Sequence, residues 1–367
     1  MTFTYGRNIR LSLFGESHGR CVGVTVDGLP AGMPVDTEEM GRWMELRRAY
    51  GDISTGRHES DVPRILSGVF EGLTDGSPLT VIIHNKDQHS RDYSRGLFRP
   101  SHADYTAYAK LGGFNDYRGG GSFSGRMTAP LTAVGGLLAG PLERSGIVIG
   151  THIAQCGDIR DEDLDEAGGE ELREVLLSLR QKSFAVIDEQ KGEEMRRLIR
   201  EAREDGDSVG GVLETAIYGL PAGIGAPFFD SMESQLAHLA FSIPGVKGIE
   251  FGLGFGFAFL RGSEVNDQLV ADGGRIMTKS NFSGGINGGI SNGMPVLFRT
   301  VVRPTPSISK KQQTVDPETL EEKELELGGR HDPAIFHRAR VVIDSIAAIA
   351  VFDMMLERDR DIWKGSL

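Results

Sequence analysis

The sequence predicts an α+β fold, in which strands and helices follow one another without the regular alternation of a parallel α/β protein. Short apolar runs between turn residues predict strands. Longer runs with apolar residues three or four positions apart predict helices. No repeat of fixed period is present. No apolar run reaches the roughly 18 residues of a membrane-spanning helix, so no membrane association is expected.

Seven strands are predicted from short runs rich in valine, isoleucine, leucine and phenylalanine. One of them alternates apolar and polar residues, as expected of a strand with one exposed face. The predicted strands are 9–14, 22–26, 64–70, 79–84, 148–155, 209–218 and 294–302. The polar or glycine-rich stretches predicted as loops are 50–60, 85–100, 279–293 and 305–326.

Helices are predicted from start signals and apolar spacing. Ser101 is expected to cap a helix at 102–111, and Thr128 to cap the small-residue run that follows it. The apolar run at 130–142 predicts a closely packed, buried helix ending near Pro141. The other predicted helices are 37–48, 172–179, 193–202, 232–241 and 339–355.

Composition and charge restrict the class of protein. The chain has 367 residues and a net charge of −12, and residues 158–207 contribute −8 of it, from 17 acidic and 9 basic side chains. Because no broad basic face is present, nucleic-acid binding is not expected. Cys21 and Cys156 form no CxxC pattern, which argues against a disulfide framework or a zinc ribbon. With no visible signal peptide, the expected location is the cytoplasm.

A glycine-rich loop at residues 117–129 reads YRGGGSFSGRMTA. The consecutive glycines Gly119 to Gly121 allow positive φ angles and close approach of the backbone to a ligand. Arg118 and Arg126 bracket the glycines, and a predicted helix follows, whose N-terminus favours an anion. The loop is suited to bind an anion, but this stretch alone favours a flexible turn with two solvated arginines, and other stretches must decide between the two.

The turn at residues 15–19 reads GESHG and places His18 between two predicted strands. Histidine is the side chain best suited to move protons near neutral pH. The same letters match the GxSxG nucleophile elbow with Ser17 as nucleophile, but an elbow opens a helix, whereas a strand is predicted here. A hydrogen-bonded turn histidine without catalytic function is the third interpretation.

Three further stretches combine basic, histidine and acidic residues. His102 follows Arg99 at a predicted helix start, and Asp332 lies in the run GGRHDP at 328–333. The third stretch contains Arg47, Arg48 and Arg57. Each has a structural alternative: a surface histidine, an arginine–aspartate ion pair, or arginines at a helix end. Arginine forks match carboxylate and phosphate groups, so the set favours a polyanionic ligand.

Several motifs are absent from the sequence. No GxxxxGK[ST] run predicts a nucleotide P-loop, the glycines at 252–256 lack the dinucleotide fingerprint, and no histidine spacing predicts a metal site. The residues alone therefore predict an enzyme acting on a small polyanionic substrate and leave its reaction open. A non-catalytic phosphate-binding protein and a serine hydrolase are the alternatives.

Eight distinctive motifs follow one another along nearly the whole sequence: FGESHG (14–19), VDGLPAG (26–32), DQHSRDYS (87–94), RPSHADYT (99–106), DYRGGG (116–121), SGRMTA (124–129), GGINGGISNG (284–293) and GRHDP (329–333). In these motifs and in their order the sequence resembles the chorismate synthase family. The resemblance implies one domain, with helices between antiparallel sheets in a βαβ sandwich, and a homotetramer.

The resemblance implies a lyase that converts 5-enolpyruvylshikimate 3-phosphate to chorismate by 1,4-elimination of phosphate with loss of a ring hydrogen. Reduced FMN would be required, without net redox change. His18 would help to protonate the departing phosphate, and His102 would act near the flavin ring. Asp332 would assist at flavin N5, with Ser17 and Ser124 nearby.

The resemblance also implies two sets of binding residues. Substrate anions would be bound by Arg47, Arg48, Arg99, Arg126 and Arg330. FMN would be bound by Ser122, Phe123, Ser124, Pro244, Gly245, Gly288, Arg303, Pro304, Thr305, Pro306, Ser307 and Arg330.

The chain departs from the family at three cofactor positions. Ser122-Phe123 stands where relatives often have Arg-Ser, Pro244-Gly245 where many have Asn-Ala, and Pro306 where the family has serine. In the loop after Arg48, Asp52 or Arg57 is the nearest match to an arginine that joins NADP binding in relatives. NADPH and a separate flavin reductase are therefore both expected as possible sources of reduced FMN.

Overall fold

The computed structural model describes residues 3–55, 60–86, 96–164, 169–328 and 331–361. These residues form two five-stranded antiparallel sheets with helices between them. The strands are β1 (Thr4–Tyr5), β2 (Arg10–Gly15), β3 (Cys21–Asp27), β4 (Pro63–Ser67), β5 (Val69–Phe70), β6 (Leu73–Thr74), β7 (Leu79–His84), β8 (Val148–Cys156), β9 (Ile159–Arg160), β10 (Gly211–Tyr218), β11 (Val246–Phe251), β12 (Leu269–Asp272), β13 (Arg275–Thr278), β14 (Ile286–Asn287), β15 (Ile290–Ser291), β16 (Val296–Val302), β17 (Gln312–Val315) and β18 (Glu322–Leu325).

Eight α-helices accompany the sheets in the described residues. They are α1 (Thr37–Leu46), α2 (Asp104–Leu111), α3 (Thr128–Arg144), α4 (Gly169–Gln181), α5 (Glu189–Glu204), α6 (Met232–Ser242), α7 (Gly262–Val265) and α8 (Phe336–Asp361). Asp36 caps α1 by accepting hydrogen bonds from the amides of Glu38 and Glu39. None of the helices in the described part of the chain is both long and apolar enough to span a membrane.

The first sheet has the strand order β1-β2-β3-β7-β4. Its apolar side chains alternate along each strand, so that Leu11, Val24 and Val81 are buried on one face. α3 packs against β3 and β7 on that face. Because β3 and β7 pair antiparallel, with Cys21 opposite His84, the turn that precedes β3 and the segment that follows β7 meet at one end of the sheet.

The second sheet has the order β11-β16-β10-β8-β9 and is covered on both faces. α8 packs against β8 and β10, and α4 packs on the opposite side, where Leu176 joins Val148 and Ala216 in a separate apolar cluster. Burial on both faces explains why eight of the nine residues of β8 are buried, polar Thr151 and His152 among them.

α3 and α8 form the layer between the two sheets, and glycine permits their close contact. A Cβ atom on Gly135 would lie 2.4 Å from Cβ of Ser345 on α8, and one on Gly136 would lie 2.9 Å from Cα of Met40 on α1. The predicted α+β class is confirmed, and so is the arrangement of helices between antiparallel sheets.

Several predicted boundaries are wrong for identifiable reasons. α3 continues past Pro141 because the amide of Ser145 still donates to the carbonyls of Leu142, at 2.9 Å, and Pro141, at 3.3 Å. Thr128 is the first residue of α3 rather than its cap. The predicted loop at 305–326 contains the hairpin β17–β18, whose exposed strands are too polar to be predicted from an apolar pattern.

A buried histidine on β8 lies between two carboxylates. His152 Nδ1 is 2.9 Å from Oδ2 of Asp161, and Nε2 is 3.1 Å from Oε2 of Glu214. Burial favours the neutral ring, but the two carboxylates outweigh burial and raise the pKa of His152 above its ordinary value of 6.5. Their contribution to stability is therefore complete below the unfolded-state pKa and is lost as pH rises through the folded-state pKa.

We expect His152→Gln to lower the free energy of unfolding by about 2 kcal/mol at slightly acidic pH, where the imidazolium binds both carboxylates. The difference between the two proteins should shrink as pH rises above the folded-state pKa of His152, since glutamine does not titrate. Urea unfolding of both proteins across this pH range measures the difference. A difference that stays constant or grows with pH would contradict the assignment.

Candidate active site

The two predicted catalytic histidines pack against neighbouring glycines of the glycine-rich loop, His18 against Gly119 and His102 against Gly120. Gly119, Gly120 and Gly121 have φ angles of +60°, +82° and +55°, which a side chain would make strained. A Cβ atom on Gly119 would lie 2.6 Å from Cδ2 of His18, and one on Gly120 would lie 3.1 Å from Cε1 of His102. Two imidazoles far apart in sequence therefore lie against one short stretch of bare backbone.

His18 and Ser17 lie in the turn between β2 and β3, and both are buried. The amide of Ser17 donates to the carbonyl of Gly121 at 3.1 Å, which joins this turn to the glycine loop. Asn85 fixes the turn from the other side, where its Nδ2 donates to the carbonyls of Glu16, at 3.0 Å, and Gly19, at 2.9 Å. β3 follows the turn, whereas a nucleophile elbow needs a helix at that point, so the hydrolase interpretation of Ser17 loses its structural basis.

His102 is oriented by an acidic partner. Its Nδ1 lies 2.7 Å from Oδ1 of Asp104, whose two oxygens also accept hydrogen bonds of 2.8 Å from Nη2 and Nε of Arg99. Burial would raise the pKa of Asp104, but the hydrogen bonds from Arg99 and His102 outweigh burial and hold it well below its usual range. Because an ionised carboxylate only accepts, the hydrogen is assigned to Nδ1 of His102. Nε2 is then the nitrogen left to act on a ligand.

The prediction that Ser101 caps the next helix is wrong. α2 begins at Asp104, and Ser101 has a φ angle of +60° that belongs to a turn. The carboxylate of Asp104 reaches backwards to Arg99 and His102 and so holds the loop that precedes the helix. The nearest charged partner of His102 is therefore a carboxylate.

Arg47 is buried and has three partners within the protein. Its Nη1 donates to Oδ2 of Asp61 at 3.0 Å, its Nε to Oγ1 of Thr128 at 3.0 Å, and its Nη2 to the carbonyl of Gly125 at 2.8 Å. Burial lowers the pKa of Arg47 to about 10, so the guanidinium remains charged at neutral pH. Arg47 therefore anchors the end of the glycine loop to α1.

Arg126 is buried and similarly bound. Its Nη1 donates to Oδ1 of Asp61, its Nε to Oδ1 of Asn85 at 2.8 Å, and its Nη2 to the carbonyl of His84 at 3.3 Å. Burial would raise the pKa of Asp61, but Arg47 and Arg126 outweigh burial and lower it. One ionised carboxylate thus bridges two of the predicted substrate-binding arginines.

Asp332 is held by α8 and by the segment after α1. The amide of Thr55 donates to its Oδ1 at 2.7 Å, and Nη1 of Arg338 donates to its Oδ2. Nε of Arg338 also donates to the carbonyl of Arg47 at 3.1 Å, which ties Asp332 to the arginine cluster. The predicted surface loop at 50–60 is therefore partly internal: the Oγ of Ser54 is buried and lies 3.2 Å from Nε2 of His337.

Two predicted cofactor residues of the second half of the chain, Gly245 and Arg303, are linked by hydrogen bonds to the loop that carries His102, named here the His102 loop. The carbonyl of Gly245 accepts a hydrogen bond of 2.9 Å from the amide of Arg303. Nη1 of Arg303 in turn donates to the carbonyl of Ser101 at 3.0 Å. The segment that begins at Arg303 therefore runs beside the loop that carries His102.

The remaining predicted residues fall into three groups. Gly288 is in the exposed turn between β14 and β15, and no hydrogen bond among the described residues joins this turn to the His102 loop. Arg57 and Arg330 lie outside the described residues. Ser122, Phe123 and Ser124 are half-buried in the glycine loop itself.

Sequence reasoning missed the residues that orient the site, chiefly Asp61, Asn85 and Arg338. No local pattern distinguishes Asp61 from any other acidic loop residue, because its partners are 14 and 65 positions away. Asp104 follows His102 by only two positions, and this short spacing is a sequence signal that could have indicated their contact.

A family profile described as chorismate synthase matches residues 9–356, nearly the whole chain. The chain belongs to the chorismate synthase family. The resemblance inferred from the motifs is therefore confirmed, and the chain is an enzyme of the lyase class to which chorismate synthases belong.

Individual chorismate synthases match over similar lengths. That of Thermococcus gammatolerans is 43% identical over 362 residues, covering 98% of this chain and 99% of the relative. That of Pyrococcus abyssi is 44% identical over 355 residues, covering 96% and 97%. A crystal structure of chorismate synthase superposes with a TM-score of 0.76 at 28% identity, covering 96% of this chain and 93% of that one.

Proposed function

We propose that this enzyme converts 5-enolpyruvylshikimate 3-phosphate to chorismate by 1,4-elimination of phosphate together with one ring hydrogen, with reduced FMN as its required cofactor. The observation that carries the proposal is the convergence of His18 and His102 on Gly119 and Gly120, beside the arginine cluster. A substrate with one phosphate and two carboxylates needs several cations near the groups that move protons.

Within this proposal the histidines have separate tasks. His18, buried beside Ser17, protonates the departing phosphate, which is a poor leaving group when fully ionised. His102 presents Nε2 to the cofactor side because Asp104 holds Nδ1. Asp332, fixed by Arg338 and Thr55, supplies a carboxylate near the flavin, and Ser17 and Ser124 complete the polar surface.

The arginines divide into two groups. Arg47 and Arg126 are buried and bridged by Asp61, so they supply positive charge in fixed positions. Arg99 and Arg48 are more accessible and complete the set of proposed substrate cations, with Arg330 as the fifth. Such an array would place the substrate by its charges before any bond breaks.

The residues present fit a bound flavin. Oγ1 of Thr305 and Oγ of Ser17 are buried without a hydrogen-bond partner among the described residues, and both can serve a ligand. We assign FMN binding to Ser122, Phe123, Ser124, Pro244, Gly245, Gly288, Arg303, Pro304, Thr305, Pro306, Ser307 and Arg330. Reduced FMN supplies transient electron donation to the substrate when bound. Compared with the family pattern, Phe123 makes the glycine loop more apolar, and Pro306 makes the segment that begins at Arg303 stiffer.

The proposal includes a cytoplasmic location and a homotetramer, with no nucleic acid or membrane as partner. Assembly is supported by phenylalanines that are almost fully exposed in this single chain, among them Phe228, Phe229, Phe255 and Phe259. Exposed aromatic groups of this kind are typical of protein interfaces. NADPH or a separate flavin reductase supplies the reduced flavin, and an aerobic assay with NADPH and FMN but no reductase distinguishes the two.

We expect phosphate release from 5-enolpyruvylshikimate 3-phosphate under anaerobic conditions only when FMN is reduced. The measurement is inorganic phosphate formed with reduced FMN, with oxidised FMN and without flavin. Equal release in all three would contradict the proposal. Binding of the phosphate ester without any release would favour the non-catalytic alternative.

A further inference from the structure

Asp61 lies where three proposed substrate arginines meet. Its Oδ1 accepts from Arg126 and its Oδ2 from Arg47, so each oxygen serves a different guanidinium. The carbonyl of the preceding residue, Ser60, accepts from Nη2 of Arg48. Residues 60 and 61 therefore contact all three arginines through groups that only accept.

Asp61 has a left-handed backbone conformation. Its φ angle is +42°, in a region that residues other than glycine seldom adopt, although aspartate is among the more frequent exceptions. The side chain is 2% exposed, and a buried carboxylate without partners would be strongly unfavourable. Strained conformations persist where surrounding contacts fix them, often at functional sites.

The bridge does not use all the N–H donors of either arginine. A guanidinium has five N–H donors, and three are used on Arg47 and three on Arg126 by the described residues. Two N–H groups therefore remain on each arginine. The bridge also keeps the two cations together, because one negative charge offsets part of their mutual repulsion.

We propose that Asp61 is a positioning residue that holds Arg47 and Arg126 in the geometry that binds the substrate phosphate or carboxylates. This inference rests on the proposed function. Asp61 does not itself touch the substrate, and it acts through the two arginines. Its loss should therefore change substrate affinity more than the chemical step or the affinity for FMN.

The test substitution is Asp61→Asn. Asparagine has one acceptor oxygen, so one arginine keeps its partner while the amide N–H₂ faces the other guanidinium. KM for 5-enolpyruvylshikimate 3-phosphate should rise about tenfold or more, as expected when a buried charge pair loses one member. kcat should stay within about threefold of its original value, and the FMN dissociation constant should not change.

A double-mutant cycle with Arg126→Ala tests whether Asp61 acts through Arg126. The rise in KM caused by Asp61→Asn should be much smaller in the Arg126→Ala background, because residues that act as one unit are not additive. Two effects that multiply in full would contradict the inference. So would an unchanged KM in Asp61→Asn.

Asp344→Asn is the matched control, since Asp344 is a buried carboxylate that pairs with Arg340 inside α8. It should lower Tm and leave KM unchanged. If Asp61→Asn does not fold, Asp61→Glu keeps the charge but must displace at least one arginine by its extra methylene, and it too should raise KM. An unchanged KM in that variant would contradict the inference. Failure of the unmodified protein to release phosphate would refute the proposed function instead.

Discussion

Replacing His102 with alanine is expected to slow turnover by about 10²–10⁴-fold, the usual effect of removing a group that transfers a proton. The structural reason is the orientation of the ring: Asp104 binds Nδ1 at 2.7 Å, and the ring lies against Gly120 of the proposed ligand loop. FMN affinity should change little, since the proposed cofactor contacts come mainly from other residues. Anaerobic turnover with reduced FMN and a flavin-binding titration measure the two quantities.

His238→Ala is the control for this substitution. His238 lies on α6, where its ring packs edge-on against Tyr5 at 5.3 Å between centroids. Its removal should leave turnover near the original value. Normal turnover in His102→Ala would remove His102 from the mechanism, and a parallel loss of FMN binding would show that it holds the cofactor instead.

Replacing Gly119 with alanine is expected to reduce turnover by about 10²-fold, the effect of misplacing a catalytic group by about 1 Å. The new Cβ atom would lie 2.6 Å from Cδ2 of His18 and 2.8 Å from Oγ of Ser17, closer than carbon and oxygen atoms can approach. Both side chains are buried, so neither can move away into solvent. Turnover with saturating substrate and reduced FMN measures the loss.

Gly273→Ala separates this clash from the cost of the backbone angle. Gly273 has a φ angle of +53°, close to the +60° of Gly119, but no atom lies within 4 Å of its Cβ position. Each alanine should cost about 1–2 kcal/mol of stability through its left-handed backbone. Only Gly119→Ala should lose activity. Equal activity in the two variants would show that the contact between the glycine loop and His18 is not required.

The sequence predicts seven of the ten strands in the two five-stranded sheets because their signal is local, whereas β1, β9 and β11 are not predicted. β3 and β7 are short apolar runs bounded by turn residues, and both lie within a residue or so of their predicted positions. The hairpins β12–β13 and β17–β18 could not be predicted in this way, because their exposed strands bury too little apolar surface to leave a pattern.

In the candidate site, too, local features could be predicted from the sequence and long-range contacts could not. The GESHG turn and the triple glycine could be singled out as unusual local sequences, and the structure brings them together. The contacts that orient the site join residues distant in sequence: Asp61 binds Arg126, and Arg338 binds the carbonyl of Arg47. Such contacts are set by how the sheets and α8 pack, so no single stretch reveals them. The roles of Asp61 and Arg338 therefore come from the structure.

The central claim is that this enzyme eliminates phosphate without a net redox change. The most direct measurement follows the absorbance of reduced FMN under anaerobic conditions while phosphate and chorismate are quantified over many turnovers. We expect equal amounts of phosphate and chorismate, with the flavin still reduced at the end. Oxidation of one flavin for each phosphate released, or phosphate release without chorismate, would contradict it.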